Sequence, residues 1–146
     1  MLFRSALIAI ANTAAVVGFG SIAKLTPGFQ AAVDVMTQIP GDPLVGAAVA
    51  VSVIAGLTGS ASGGQSIALP ILAPHYIDVG VDPQALHRVV AISSGALDSL
   101  PHNGYVVTTL RGICKESYSG GYPAIFALTV IVPAIGTGLA ILLLSI

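Results

Sequence analysis

Two short stretches of this sequence place hydroxylated and titratable residues inside otherwise apolar segments. The first is residues 58–64, Thr-Gly-Ser-Ala-Ser-Gly-Gly, and the second is residues 98–104, Asp-Ser-Leu-Pro-His-Asn-Gly. Helix amides beside hydroxyls and glycines can hold an anion, because the helix start is partly positive and glycine lets the ligand approach the backbone. We therefore predict a carboxylate site with these substrate-binding residues: Thr58, Gly59, Ser60, Ser62, Gly63, Gly64, Ser99 and Asn103.

Asp98 is the carboxylate of the second stretch, and His102 follows it four residues later. A carboxylate in an apolar segment is costly in a membrane, so such a residue usually has a function. Both side chains can exchange a proton, and we predict that they form a proton-coupling pair. An alternative is that Asp98 only forms an ion pair or caps local amides. Two ligands are too few for a metal site, and neither a metal nor another cofactor is predicted.

The composition places both stretches in a membrane protein. Of the 146 residues, 55% are hydrophobic and 8% are charged, whereas soluble domains carry about 25% charged residues. A net charge of −1, with no basic patch, excludes nucleic acid as a partner. The sequence therefore predicts an all-α integral membrane protein that forms a single domain over residues 1–146.

The elements that carry these stretches follow from length and helix signals. Residues 5–23 and 123–146 are predicted to be transmembrane helices, and residues 26–39 an amphipathic interfacial helix. Residues 44–74 carry no charge and are too long for one span, so we predict a re-entrant hairpin with half-helices of about 21 and about 14 Å. Without a break, the small residues Gly56, Ser60 and Gly64 would instead form a helix-packing face.

The second stretch interrupts another predicted helix. Residues 83–113 read as a broken transmembrane helix, because Asp82-Pro83 is a helix start and Pro101 and Asn103-Gly104 are helix breakers. The first half is expected to end at Leu97, and residues 111–122 are expected to form a loop. On this layout Arg4, Arg111 and Lys115 lie on one side of the membrane and Lys24 and Arg88 on the other, which favours a cytoplasmic first side.

Three stretches resemble the C-terminal portion of the gluconate permease (GntP) family, within the wider ion-transporter superfamily. They are residues 56–64 (GLTGSASGG), 82–88 (DPQALHR) and 94–104 (SGALDSLPHNG), and the similarity is greatest to members that carry 3-hydroxybutyrate. The resemblance implies a multi-pass protein of the bacterial inner membrane that imports small hydroxy-acid anions such as gluconate or 3-hydroxybutyrate by proton symport. Such a protein is a carrier and not an enzyme.

The same resemblance implies a secondary transporter built from two inverted repeats, of which this chain corresponds to the second. Its expected partners are the organic anion, the proton, the lipid bilayer, and either a missing N-terminal repeat or a second copy of the chain. Two other functions remain open from the residues alone. One is a non-transporting membrane assembly subunit, whose small residues only pack helices, and the other is an intramembrane serine hydrolase that uses Ser60 or Ser62 with His102 and Asp98.

Overall fold

The computed structural model describes residues 25–145 throughout, preceded by residues 6–7, 10–11, 14–15, 18–19 and 21–22. The predicted helix over residues 5–23 therefore lies largely outside the described residues, and those of its residues that are described are helical. Every regular element in the described part is helical. The elements are α1 (Pro27–Thr37), α2 (Pro43–Thr58), α3 (Ala61–Asp78), α4 (Pro83–Ser93), α5 (Gly104–Val107), which continues as a π-helix over Thr108–Ile113, and α6 (Tyr118–Leu144).

Three helices begin by the same local mechanism. Thr26, Asp42 and Asp82 each accept a hydrogen bond from a backbone N–H of the first turn. A proline follows each of them, and its fixed φ angle and missing N–H suit the first helical position. The starts of α1, α2 and α4 are thus encoded locally in the sequence.

Helices α2 and α3 form an antiparallel hairpin. The first turns of α2 lie against the end of α3, where a Cβ on Gly46 would approach the Tyr76 hydroxyl to 2.9 Å. At the other end, a Cβ on Gly64 would lie 2.6 Å from the Cα of Ala55. Small and branched side chains fill the interface between these ends, and they form the main core of the described chain: Ala47, Ala50, Val51, Ile54, Ile67, Ala68 and Leu72.

The hairpin turn is shorter than the break predicted over residues 58–64. Only Gly59, in the left-handed conformation at φ 61°, and Ser60 separate the two helices. Residues 61–64 are helical, because the Ser60 hydroxyl caps the Gly63 N–H at 3.1 Å and Gly64 packs against Ala55. Gly63 and Gly64 therefore lie in the first turn of α3 and not in the hairpin turn, and Gly64 serves close helix packing.

The second helix of the hairpin also continues past its predicted end at Pro74, to Asp78. Pro74 removes one helical hydrogen bond, but Tyr76 beyond it is 3% exposed and its hydroxyl donates to the Met36 carbonyl at 3.4 Å. Tertiary packing thus outweighs the proline. At 1.5 Å per residue, α2 and α3 are about 24 and about 27 Å long, so the turn lies most of a hydrocarbon thickness away from Asp42.

The segment between α4 and α5 is irregular over residues 94–103. Helix α4 ends at Ser93 and not at Leu97, and the Ser52 hydroxyl of α2 donates to the Ser93 carbonyl at 2.8 Å. That contact satisfies one of the carbonyls that a helix end leaves unpaired. The break therefore starts four residues earlier than predicted, at a position that a neighbouring helix determines.

Helix α6 begins at Tyr118, five residues before the predicted start, because Ser117 caps it through the Gly120 N–H at 3.1 Å. The predicted loop over residues 111–122 is thus partly helical. In the described part of the chain, α6 is the helix that is long and apolar enough to cross a membrane. Its 27 residues span about 40 Å, and the apolar residues 124–144 span about 31 Å, which matches the hydrocarbon core.

The two ends of this helix define the two ends of the molecule. The Ser145 hydroxyl contacts the Asp42 carboxylate, next to the start of α2, and we call this end the base. At the other end the Tyr122 hydroxyl donates to the Ser99 carbonyl at 3.2 Å, close to the hairpin turn, and we call this end the tip. The candidate site residues all lie at the tip.

Candidate functional site

The hairpin turn and the break between α4 and α5 are joined directly. The Asn103 Nδ2 donates to the Gly59 carbonyl at 2.6 Å and to the Asp98 carbonyl at 2.5 Å. A second contact joins the His102 Nε2 to the Gly56 carbonyl at 2.8 Å. The structure thus brings together residues that are more than forty positions apart in the sequence.

Asn103 is also the cap of the helical segment that follows. Its Oδ1 accepts from the backbone N–H groups of Tyr105 at 2.6 Å and Val106 at 3.3 Å. With two bonds donated and two accepted, the amide uses its full hydrogen-bonding capacity within the chain, and the side chain is buried. In this conformation Asn103 holds the two breaks together and offers no free group to a ligand.

Two helix starts meet at this contact. Helix α3 begins at Ala61, next to Gly59, and the helical segment over residues 104–113 begins next to Asn103. Both starts present backbone N–H groups and the positive ends of their helix dipoles. The hairpin turn and the break are therefore electrostatically suited to a negative charge, although residues 58–64 and 98–104 contain no lysine or arginine.

The four predicted hydroxyl groups differ in how they are engaged. The Thr58 hydroxyl donates to carbonyls of its own helix, 3.0 Å from Ile54, and the Ser99 hydroxyl donates to the Asp98 Oδ1 at 2.8 Å. The Ser60 and Ser62 hydroxyls lie 3.5 Å apart at the start of α3, and Ser62 is exposed. Of the predicted set, Ser62 is thus the hydroxyl that a solute can reach most directly.

The predicted glycines have separate structural positions. Gly59 adopts the left-handed conformation that closes the hairpin, and Gly63 donates its N–H to the Ser60 cap. Gly64 faces α2 and is buried, so a ligand cannot approach it from that side. Gly56 packs against the break, where its missing side chain leaves room for Leu97.

Asp98 and His102 do not form an ion pair. The carboxylate of Asp98 is half-buried and accepts from Ser99, whereas the His102 ring is exposed and contacts the Gly56 carbonyl. The ion pair considered as an alternative from the sequence is therefore absent. Each group lies at the tip separately, within the segment that carries Asn103.

Several polar contacts around the site involve residues that the sequence did not single out. The Gln65 Nε2 donates to the Ser94 hydroxyl at 2.7 Å, which ties α3 to the start of the break. The Tyr118 hydroxyl donates to the Pro101 carbonyl at 2.9 Å, parallel to the contact of Tyr122 with Ser99. The sequence could have indicated Gln65, because it is the sole amide or charged side chain within residues 44–74. No sequence pattern indicates the contacts of the two tyrosines.

Comparison with known proteins gives one informative similarity. The chain is 41% identical over 130 residues to a protein of Bacillus subtilis (strain 168) named uncharacterized transporter YxjC. The match covers 86% of this chain and 27% of that protein, so the chain spans about a quarter of the length of the curated relative that it matches. No family model matches the chain, and no solved structure matches it. The similarity and the apolar helix α6 together support a membrane protein of the transporter type.

Proposed function

We propose that this chain forms part of a secondary transporter that imports small hydroxy-acid anions, such as gluconate or 3-hydroxybutyrate, together with a proton. The observation that carries this proposal is the junction at the tip, where Asn103 and Gly59 bring two helix starts together. A converging pair of helix N-termini is a way to bind a carboxylate in a membrane without a basic residue. Similarity to a protein named as a transporter supports the same reading.

In this proposal the hydroxyls of Ser60 and Ser62 and the free amides of α3 bind the substrate carboxylate. Asp98 or His102 carries the proton, each acting separately because they are not paired. Asn103, Thr58 and the glycines shape the site. Gly59 lies beside Asn103 at the turn, where its carbonyl accepts the hydrogen bond from the Asn103 Nδ2 at 2.6 Å.

The proposed setting is the bacterial inner membrane, with a multi-pass chain whose hairpin is re-entrant from the base. Arg111 and Lys115 lie near the tip and Arg88 lies on α4, which starts at the base. The excess of cations at the tip favours a cytoplasmic tip. The remaining half of the site would come from an inverted N-terminal repeat or from a second copy of the chain.

The test is uptake of radiolabelled 3-hydroxybutyrate and gluconate into proteoliposomes that contain the chain in its full-length context. Ser62→Ala is expected to lower the apparent affinity roughly tenfold or more, because a hydrogen bond to a charged group contributes about 1.5–3 kcal/mol. The matched control is Ser66→Ala, an exposed serine one turn further along α3 whose hydroxyl donates to the Ser62 carbonyl. Equal uptake by wild type and Ser62→Ala would reject the site.

The rival function is a membrane assembly subunit without transport. The close contacts of Gly64 with Ala55 and of Gly56 with Leu97 favour it, since they use the small residues for packing alone. A cysteine at position 62 distinguishes the two functions: substrate protects the thiol from alkylation in a carrier and has no effect in an assembly subunit. The serine hydrolase has no such support, because His102 contacts the Gly56 carbonyl and neither Ser60 nor Ser62.

A further inference from the structure

The turn between residue 111 and the start of α6 carries a cluster of groups that the transport site does not use. The Arg111 guanidinium lies 5.5 Å from the centroid of the Tyr118 ring, within cation–π distance. Lys115 is exposed three residues before Tyr118, and the Ser117 and Ser119 hydroxyls lie 3.1 Å apart at the first turn of α6. We propose that this cluster binds the phosphate of an anionic phospholipid in the leaflet on the tip side.

Membrane depth is the first argument for a lipid headgroup. If the apolar residues 124–144 of α6 fill the hydrocarbon core, the turn preceding them lies at the level of the headgroups. Tyr118, Tyr122 and Phe126 form an aromatic ladder at this end, with successive ring centroids 6.0 Å apart. Aromatic rings followed by cations at the end of a spanning helix are typical of a membrane interface.

The backbone at Lys115 is the second argument. Lys115 has φ 60°, and no other non-glycine residue among those that the structure describes has a positive φ. Glycine would adopt this conformation without the steric cost that Cβ imposes on lysine. The lysine therefore keeps a charge at a position where the backbone favours glycine, which indicates a role for the charge itself.

The charge balance is the third argument. Within the described part of the chain, neither Arg111 nor Lys115 forms an ion pair. The positive end of the α6 dipole adds to their potential. The acidic group that faces the cluster is Glu116, whose carboxylate lies against Gly120 in the first turn of α6. Glu116 thus competes with an external phosphate for the same positive region.

Because the charge of Glu116 opposes those of Arg111 and Lys115, single substitutions are expected either to weaken or to strengthen lipid binding. The chain in neutral detergent is titrated with phosphatidylglycerol and with phosphatidylcholine, and bound lipid is counted by native mass spectrometry. We expect phosphatidylglycerol to bind more tightly, and Arg111→Gln and Lys115→Gly each to weaken it about fivefold. Lys115→Gly removes the charge and relieves the backbone, so its effect cannot come from unfolding. Glu116→Gln is expected to strengthen binding by a similar factor.

Arg88→Gln is the matched control, since it removes an exposed cation from α4, the helix that starts at the base. It is expected to leave phosphatidylglycerol binding unchanged. Inorganic phosphate is not expected to displace the lipid, because it cannot use the aromatic ladder, and displacement would assign the cluster to free phosphate instead. Equal affinities for the two lipids, or equal phosphatidylglycerol affinity in Arg111→Gln, Lys115→Gly and wild type, would overturn the proposal. This inference depends on membrane insertion and not on transport.

Discussion

Asn103 connects three parts of the chain with one side chain. It donates to the carbonyls of Gly59 and Asp98 and accepts from two amides that start the next helical segment. A residue that can both donate and accept is required here, and asparagine is the smallest side chain with two donors and an acceptor. The sequence indicated Asn103 only as part of a turn and as a ligand residue.

The amide of Asn103 can be tested by a nearly isosteric change. Asn103→Asp keeps the cap but replaces two donors with a carboxylate oxygen that faces two carbonyls. We expect it to lower the free energy of unfolding by about 1–3 kcal/mol, the cost of leaving buried polar groups unsatisfied. Thermal unfolding in detergent measures this, with Gln84→Glu, an exposed amide in the first turn of α4, as the control. Equal losses in both variants would contradict the role of Asn103.

Asp98 is the residue whose proposed role concerns the proton. Its half-buried carboxylate accepts from Ser99 and has no cationic partner in the described residues. We expect Asp98→Asn to make uptake of labelled hydroxy acid independent of the pH gradient across proteoliposomes. Asp78→Asn, an exposed acid at the base end of α3, should keep the dependence. If Asp98→Asn responds to the gradient as wild type does, His102 or another group carries the proton.

At the scale of the elements, the hairpin depends on a close approach of α2 and α3 behind the turn. Gly64 sits on Ala55 so closely that a methyl group there would overlap backbone atoms, which cannot move as a flexible side chain can. The break is held against this hairpin by contacts from two directions, from Ser52 and Gln65 on one side and from the hydroxyls of the α6 tyrosines on the other. The site is thus a product of how four helices pack.

Gly64→Ala tests the close approach. A Cβ 2.6 Å from the Ala55 Cα forces the helices apart, and we expect a loss of about 1–3 kcal/mol in the free energy of unfolding together with weaker substrate binding. Gly138→Ala is the control, since Gly138 lies within α6 with nothing within 4 Å of a Cβ. There alanine should be neutral or slightly stabilising, because it favours helix. A neutral Gly64→Ala would mean that the two helices can separate without cost.

At the scale of the whole molecule, the chain has a base with acidic helix caps and a tip with cations. Asp42 and Asp82 cap helices at the base, while Arg111 and Lys115 lie in the turn that leads into α6. Because α6 runs between the two ends and is long and apolar enough to cross a membrane, we expect the two ends to lie on opposite sides of a bilayer. The molecule can therefore have one of two orientations in the membrane, with the tip on the cytoplasmic side or with the tip on the outer side.

Chemical labelling of Cys114, the single cysteine of the chain, distinguishes the two orientations. It is exposed in the same turn as Lys115. A maleimide that cannot cross membranes is expected to label it in inside-out vesicles and to spare it in right-side-out vesicles, since the cations favour a cytoplasmic tip. Cys114→Ser combined with Asp78→Cys should reverse the pattern. Labelling of native Cys114 from outside would place the tip on the outer side.

The sequence by itself determined that the chain is helical and apolar, where three helices begin, and that two stretches interrupt the apolar segments. These properties depend on nearest neighbours in the chain: a capping oxygen, a proline after it, and a run of residues without charge. Because these interactions are between neighbours in the chain, they can be predicted from the sequence alone. The break at Pro101 and the turn at Gly59 belong to the same class of local features.

The tertiary structure alone decided the ends of α3 and α4, the early start of the break and the separation of Asp98 from His102. Each of these depends on a contact with a residue distant in the sequence, such as Tyr76 with Met36, Ser52 with Ser93, or His102 with Gly56. A proline or glycine inside a helix lowers its stability by about 1–3 kcal/mol. Burial of apolar side chains, or a hydrogen bond to a carbonyl that would otherwise be unpaired, can offset that loss. Which effect prevails depends on neighbours that only the folded chain brings together.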